Sequence, residues 1–161
     1  MITNDLAKHF SLTEEELFSL AVKNTPRMFK LLIKPLCETL ADLSGLPLEA
    51  LPEEFQAGAD FPLYVISNTR YTNGAACLLY PELRKRVEAL IDGDFFIIPS
   101  SIHELILLPA NKEPEFFISM LREVNESQVP KEDVLSDNLY HYDSRIGKYS
   151  YLSKKAAIAL G

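Results

Sequence analysis

The sequence predicts an α+β fold: an antiparallel sheet built from successive hairpins, with helices packed on one face. Three observations carry this. First, two apolar runs, Phe95–Ile98 and Leu105–Leu108, flank the polar turn Ser100-Ser101-Ile102-His103-Glu104, and proline bounds each run. Continuous apolar runs edged by turn residues suit strands buried on both faces. Second, Leu63–Ser67 with Ala75–Tyr80, and Asn138–Tyr142 with Lys148–Leu152, each bracket a turn-rich stretch and read as hairpins. Third, the segments between these pairs are amphipathic at helical spacing. Hairpins joined by helices give an antiparallel sheet.

The chain of 161 residues suits one domain, taken as residues 1–161. Within it we expect a helical part over 11–45, a connecting segment over 46–60 and a sheet-containing part over 61–152. Apolar residues make up 47% and charged residues 24%, the balance of a folded globular chain. The net charge of -7 argues against non-specific nucleic-acid binding and against anionic membrane surfaces. No apolar run reaches membrane-spanning length, and the start, MITNDLAKHF, lacks a secretory pattern. Cys37 and Cys77 sit in apolar segments without metal or redox spacing, which predicts buried, reduced thiols in a cytoplasmic protein.

Taken in order, Ser11-Leu12-Thr13-Glu14 predicts a capping box opening a helix. Glu14, Glu15 and Glu16 favour its dipole, and Thr25-Pro26 ends it. Arg27–Leu43 is helical in composition, with a break at Pro35, and Ser44-Gly45 supplies the stop. Residues 46–60 hold prolines, a glycine and acidic side chains, so they connect, with one helical turn at most. Pro81 opens a helix with Leu83, Val87, Leu90 and Ile91 inward and the cluster Arg84-Lys85-Arg86 on a solvated face. Phe117, Met120, Leu121 and Val124 form the buried stripe of a later helix. Asp143–Gly147 turns the last hairpin, and the residues from Lys154 onward are expected to be loosely held.

The polar tip of the central hairpin concentrates the useful chemistry. Ser100, Ser101, His103 and Glu104 are the candidate catalytic set. His103-Glu104 is not a zincin motif, because position 107 is Leu107 and the context is a strand. A nucleophile–base arrangement would need a hydroxyl and a carboxylate both within reach of His103. The competing expectation is structural: the serines bond the backbone at the turn, and His103 and Glu104 bond across it. At the C-terminal hairpin, Asp137, His141, Asp143 and Arg145 could form a cation or acid–base site, but Asp143-Ser144-Arg145 reads better as a turn capped by Asp143. Asn68, Asn73, Asp137, His141 and Asp143 are the candidate binding residues, with Asn125 and Ser136 further polar positions for a pocket rim. No metal and no cofactor are expected.

The blocks NGAA–LLYP, PSSIHE–LLP and VNE–QV followed by VLSD–L–YD, together with TEEELFSLAVKNTPR, resemble a bacterial family found mainly in anaerobic gut bacteria. The resemblance runs from about Thr3 to Asp143. It implies a shared fold and a cytoplasmic setting; the family has no established activity, so it carries no catalytic residue. It also implies a module that forms the C-terminal half of longer proteins, with Ile2-Thr3-Asn4 resembling the end of a strand. The expected function is therefore a non-catalytic protein-interaction or regulatory module. It would bind a protein partner or a missing N-terminal half, and it could self-associate. The alternatives are a hydrolase-type enzyme using Ser101, His103 and a carboxylate such as Glu104 or Asp137, and a small-ligand binding domain.

Overall fold

In the computed structural model, which describes residues 3–50, 62–111, 114–127 and 129–152, six strands form one antiparallel sheet. The strands are β1 (Leu31–Pro35), β2 (Tyr64–Asn68), β3 (Phe95–Ile98), β4 (Leu105–Pro109), β5 (Leu139–Asp143) and β6 (Lys148–Leu152). Their order across the sheet is β1-β2-β4-β3-β5-β6, so β2 meets β4 and β3 meets β5 between the sequence-consecutive pairs. The α+β class and the central hairpin are as expected, with Phe95 opposite Pro109 and Ile98 opposite Ile106. The last hairpin also forms, pairing Leu139 with Leu152 and Asp143 with Lys148.

The sheet carries helical elements on both faces rather than one. Successive side chains of a strand point to opposite faces, and all four residues of β3 are buried. Phe95 and Ile97 join Ile66, Leu105, Leu107 and Tyr142 against the helix α4 (Leu83–Glu88) and a 3-10 turn, Gly74–Leu79. Phe96 and Ile98 join Leu108 and Leu139 against Phe117, Ile118 and Leu121 of α5 (Pro114–Ser127). The side chains of Met120 and Val124, expected on that stripe, lie outside the described set. Each fully buried Phe or Ile contributes about 1.5–3 kcal/mol of transfer free energy, so β3 is held from two directions.

Five local expectations change. The capping box opens at Thr13, not Ser11: Thr13 Oγ1 accepts the Glu16 N–H at 3.2 Å, and Glu16 Oε2 accepts the Thr13 N–H at 2.9 Å. Ser11 is occupied in closing α1 (Asn4–His9), with φ at 53° and its N–H donating to the Lys8 carbonyl. The helix α2 then runs Glu14–Met28 straight through Pro26, which removes only one N–H near the helix end. Asn4, expected at the end of a strand, is the first residue of α1, with the Thr3 hydroxyl as its cap; Ile2 lies outside the described residues.

The stretch 27–43, expected as two short helices or one kinked at Pro35, is helical only after Pro35: strand β1 comes first and α3 (Leu36–Ser44) follows, so the sheet begins inside it. Leu31 pairs with Asn68 and Pro35 with Tyr64. Pro35 sits at the end of an edge strand, where a missing N–H costs little, and it leads directly into α3, which ends at Gly45 in the left-handed region. Finally, Ala75–Tyr80 is not the partner of β2. Both edges of β2 are taken, by β1 and β4, so this run folds as a 3-10 turn over the sheet face with Ala75 and Cys77 buried. Of residues 46–60, Leu48–Ala50 is a single 3-10 turn. Residues 51–61 and the C-terminal residues from 153 onward lie outside the described set. Cys37 and Cys77 are both buried and free.

Candidate functional site

The tip of the central hairpin is built by three chain segments that meet over the end of β2. Ser67, 1% exposed, donates its hydroxyl to the His103 carbonyl at 2.9 Å. The Ser67 carbonyl accepts the Cys77 thiol at 3.2 Å. Ala75 N–H donates to the Ile102 carbonyl at 3.2 Å, and Ile102 N–H donates to the Asp133 carbonyl at 2.8 Å. Gly74 lies in the middle. A Cβ there would fall on Ser67 Oγ and the His103 carbonyl oxygen, and 2.9 Å from Ser67 Cα. The loop before it is closed by buried Asn68, whose Oδ1 accepts the Arg70 N–H at 2.9 Å and whose Nδ2 donates to the Thr72 carbonyl at 2.7 Å. Asn73 adopts the left-handed region at φ 50°, which Asn tolerates better than most residues.

His103 is held from both sides. Its Nδ1 accepts the Asn73 backbone N–H at 3.1 Å, and its Nε2 lies 3.4 Å from Asp133 Oδ1. With Nδ1 accepting, the ring proton sits on Nε2, facing the carboxylate. Ser101 turns inward on its own loop: its Oγ accepts the His103 backbone N–H at 3.0 Å. Glu104 enters through its carbonyl, which accepts the Ser101 N–H at 3.2 Å, and Ser100 N–H donates to the Ile98 carbonyl at 3.0 Å. These bonds are the structural pattern weighed against the catalytic one. The His103 ring meets a backbone N–H and Asp133, and the hydroxyl of Ser101 is committed to backbone.

The other candidates fall into separate groups. Asp137 Oδ1 accepts Asn125 Nδ2 at 2.8 Å, and the same amide donates to the Ser136 carbonyl at 3.2 Å. Asn125 Oδ1 is buried and meets no partner among the described residues. His141 Nε2 lies 3.3 Å from Asp94 Oδ2, with its ring against Phe96 at 5.5 Å between centroids. Asp94 Oδ1 also accepts the Ser144 N–H at 2.9 Å and the Ser144 hydroxyl at 2.7 Å, and these bonds hold the Asp94 carboxyl below its ordinary range. Asp143 caps its own turn, accepting the Arg145 N–H at 2.9 Å and the guanidinium at 3.1 Å, and the Arg145 side chain lowers its carboxyl in turn.

Register separates these groups. Phe95 lies opposite Tyr142 and Ile97 opposite Tyr140, so Asp143 and Asp94 stand at the start of β3 while Ser100 and His103 stand beyond its end. Asp143 therefore does not share a cleft with Ser101 and His103, whereas the same register carries Asp137, two residues before β5, to the tip's end of the sheet. The members that sequence reasoning missed are Ser67, Gly74 and Asp133. Asn73-Gly74 announced a turn and Pro130–Val134 another. No local signal linked them to His103, because Ser67 and His103 are 36 residues apart.

Among the described residues no group of three or more His, Cys, Asp or Glu side chains is placed to hold a metal. No described helix is long and apolar enough to cross a membrane.

Fold and tip together define an α+β protein with one open antiparallel sheet and a hydrogen-bonded polar tip. The chain belongs to the family described as Family of unknown function (DUF5688), which matches residues 1–144 and so takes in α1, α2 and the whole tip. No curated protein and no solved structure matches the chain.

Proposed function

We propose that this chain is a non-catalytic protein-interaction module that docks through the apolar side of α2. The supporting observation is that α2, fifteen residues long, buries none of them. On that side Leu20 is 45% exposed and Met28 71%. A helix in a folded protein is stabilised mostly by covering an apolar face. A patch of this kind left open marks an interaction site. The polar tip agrees from the other side, since the groups of a hydrolase are committed to backbone and to Asp133. The proposal includes a bacterial, cytoplasmic setting, which two free, buried thiols suit.

The test is a photo-reactive amino acid placed at Leu20 of the full chain in its native cells, with the exposed Lys131 as the control position. The expected result is one defined protein adduct from position 20 and none from position 131. Equal, diffuse labelling from both positions removes the proposal. Ester or amide hydrolysis that is lost in His103→Ala would replace it with the enzymatic alternative.

A further inference from the structure

The occupant of the α2 face can be named from its charge pattern. Leu17, Leu20, Ala21 and Met28 run along one side of the helix, with Asn24 among them. Glu16 and Arg27 stand about three helical turns apart, so they lie on the same edge of this seam, beside Leu20. The helix is acidic in its first turn, at Glu14, Glu15 and Glu16, and basic toward its end, at Lys23 and Arg27. That polarity also suits the helix dipole, so it does not name a partner by itself. The shared edge does. When two such helices pack antiparallel, edge residues face the same edge of the partner. A crossing between Ala21 and Val22 then sets Glu16 of each helix against Arg27 of the other, twice over. In a parallel pair this edge would face the opposite edge of the partner, and Glu16 would not meet Arg27. At a net charge of -7 two copies repel at long range, so a self-complementary edge is what a second copy requires.

We infer that α2 is the self-association surface of this protein, pairing antiparallel with α2 of a second copy. The assembly is a two-fold dimer in which each Glu16–Arg27 pair flanks a seam of Leu17, Leu20, Ala21 and Met28. A central Ala21 allows close approach, and Asn24 in the seam favours one register. This inference rests on the docking role proposed above and adds the identity of the partner.

Sedimentation equilibrium on the full chain tests it. The wild type is expected to dimerise at micromolar concentration. Glu16→Arg and Arg27→Glu each convert two attractive pairs into two like-charge pairs, so each weakens self-association about tenfold or more. In an equal mixture of the two variants, one chain carries arginine at both positions and the other carries glutamate at both. Each pair across the mixed interface is then attractive again, and the affinity returns to within about threefold of wild type. Glu16 also caps its own helix, but a capping loss stays within its chain and mixing cannot repair it. A wild type that stays monomeric at about 100 µM, single variants that dimerise like wild type, or a mixture as weak as its components each overturns the inference. The docking role fails separately: a monomeric wild type that still forms one foreign adduct at position 20 keeps the surface and excludes the second copy.

Discussion

Replacing Gly74 with Ala should damage the fold far more than one methyl group normally does. The added Cβ would land on Ser67 Oγ and the His103 carbonyl oxygen, and 2.9 Å from Ser67 Cα. Two of these are backbone atoms and the third belongs to a side chain that is 1% exposed, so none can swing into solvent. Relief requires parting the 3-10 turn from β2. That forfeits the Ala75–Ile102 bond, worth about 1 kcal/mol, with the Cys77–Ser67 bond beside it, and leaves buried polar groups unsatisfied at a further cost of about 1–3 kcal/mol. Overpacking adds about 1–3 kcal/mol where the turn only partly moves. A loss of about 3 kcal/mol or more is expected. For a chain of this size that lowers Tm by about 6–12 °C.

Gly45 is the control. It has φ at 68° and no atom within 4 Å of its would-be Cβ, so Gly45→Ala carries only the left-handed penalty, roughly 1 kcal/mol. Urea and thermal unfolding of both variants, at unchanged m-value, give the comparison. Ser67→Ala in the Gly74→Ala background should cost less than the sum of the two single changes, because one of the clashing atoms is gone. If Gly74→Ala unfolds within about 0.5 kcal/mol of wild type, or is milder than Gly45→Ala, the close approach at the tip does not exist as described.

Two further outcomes concern titration. Tyr80 is pushed up to about 12, chiefly by burial, and its hydroxyl donates to the Phe29 carbonyl at 2.8 Å. A raised folded value means that this contribution is intact below the ordinary tyrosine value near 10 and drains away as pH rises toward the folded value. Tyr80→Phe should lose about 1 kcal/mol at neutral pH and flatten the alkaline decline of Tm. An unchanged alkaline decline in the variant would count against Tyr80 as its source. Asp94 is lowered by the two Ser144 bonds, so its contribution is present above the ordinary carboxylate value and is lost as acid titrates the folded group. Asp94→Asn should weaken the chain by about 1 kcal/mol at neutral pH and reduce its acid sensitivity. Retention of the full acid transition would remove Asp94 from that role.

How much was legible in the sequence follows the range of the forces involved. The central hairpin could be read because its signals are local: two apolar runs, prolines at their ends and a polar turn between them. The last hairpin announced itself in the same way through Asp143–Gly147. Strand β1 could not, because Leu31-Leu32-Ile33 carries no period that distinguishes a short strand from a short helix. Only pairing with Ile66 and its neighbours, far along the chain, decides the matter. The run Ala75–Tyr80 misled for the opposite reason: its composition suits a strand, but both edges of β2 are already taken by β1 and β4. The roles of Ser101 at the tip and of Asp143 in the last turn were visible from residue type. The partnership of His103 with Asp133 and Asn73 was not, since it depends on three loops arriving together.

The double-sided burial of β3 and β4 has a consequence for how the chain finds its alignment. In most antiparallel strands, sliding by one residue trades an oily face for a polar one, and the penalty fixes the match. Phe-Phe-Ile-Ile against Leu-Ile-Leu-Leu offers no such penalty, since every slip exchanges one apolar residue for another. The zip could close on the wrong tooth. What stops it is the polar turn beyond the strand end: the Ser101 N–H meets the Glu104 carbonyl, and the Ser101 hydroxyl accepts the His103 N–H. A shifted strand offers neither. The tip acts as the notch that lets an otherwise ambiguous pair of strands close in one position only.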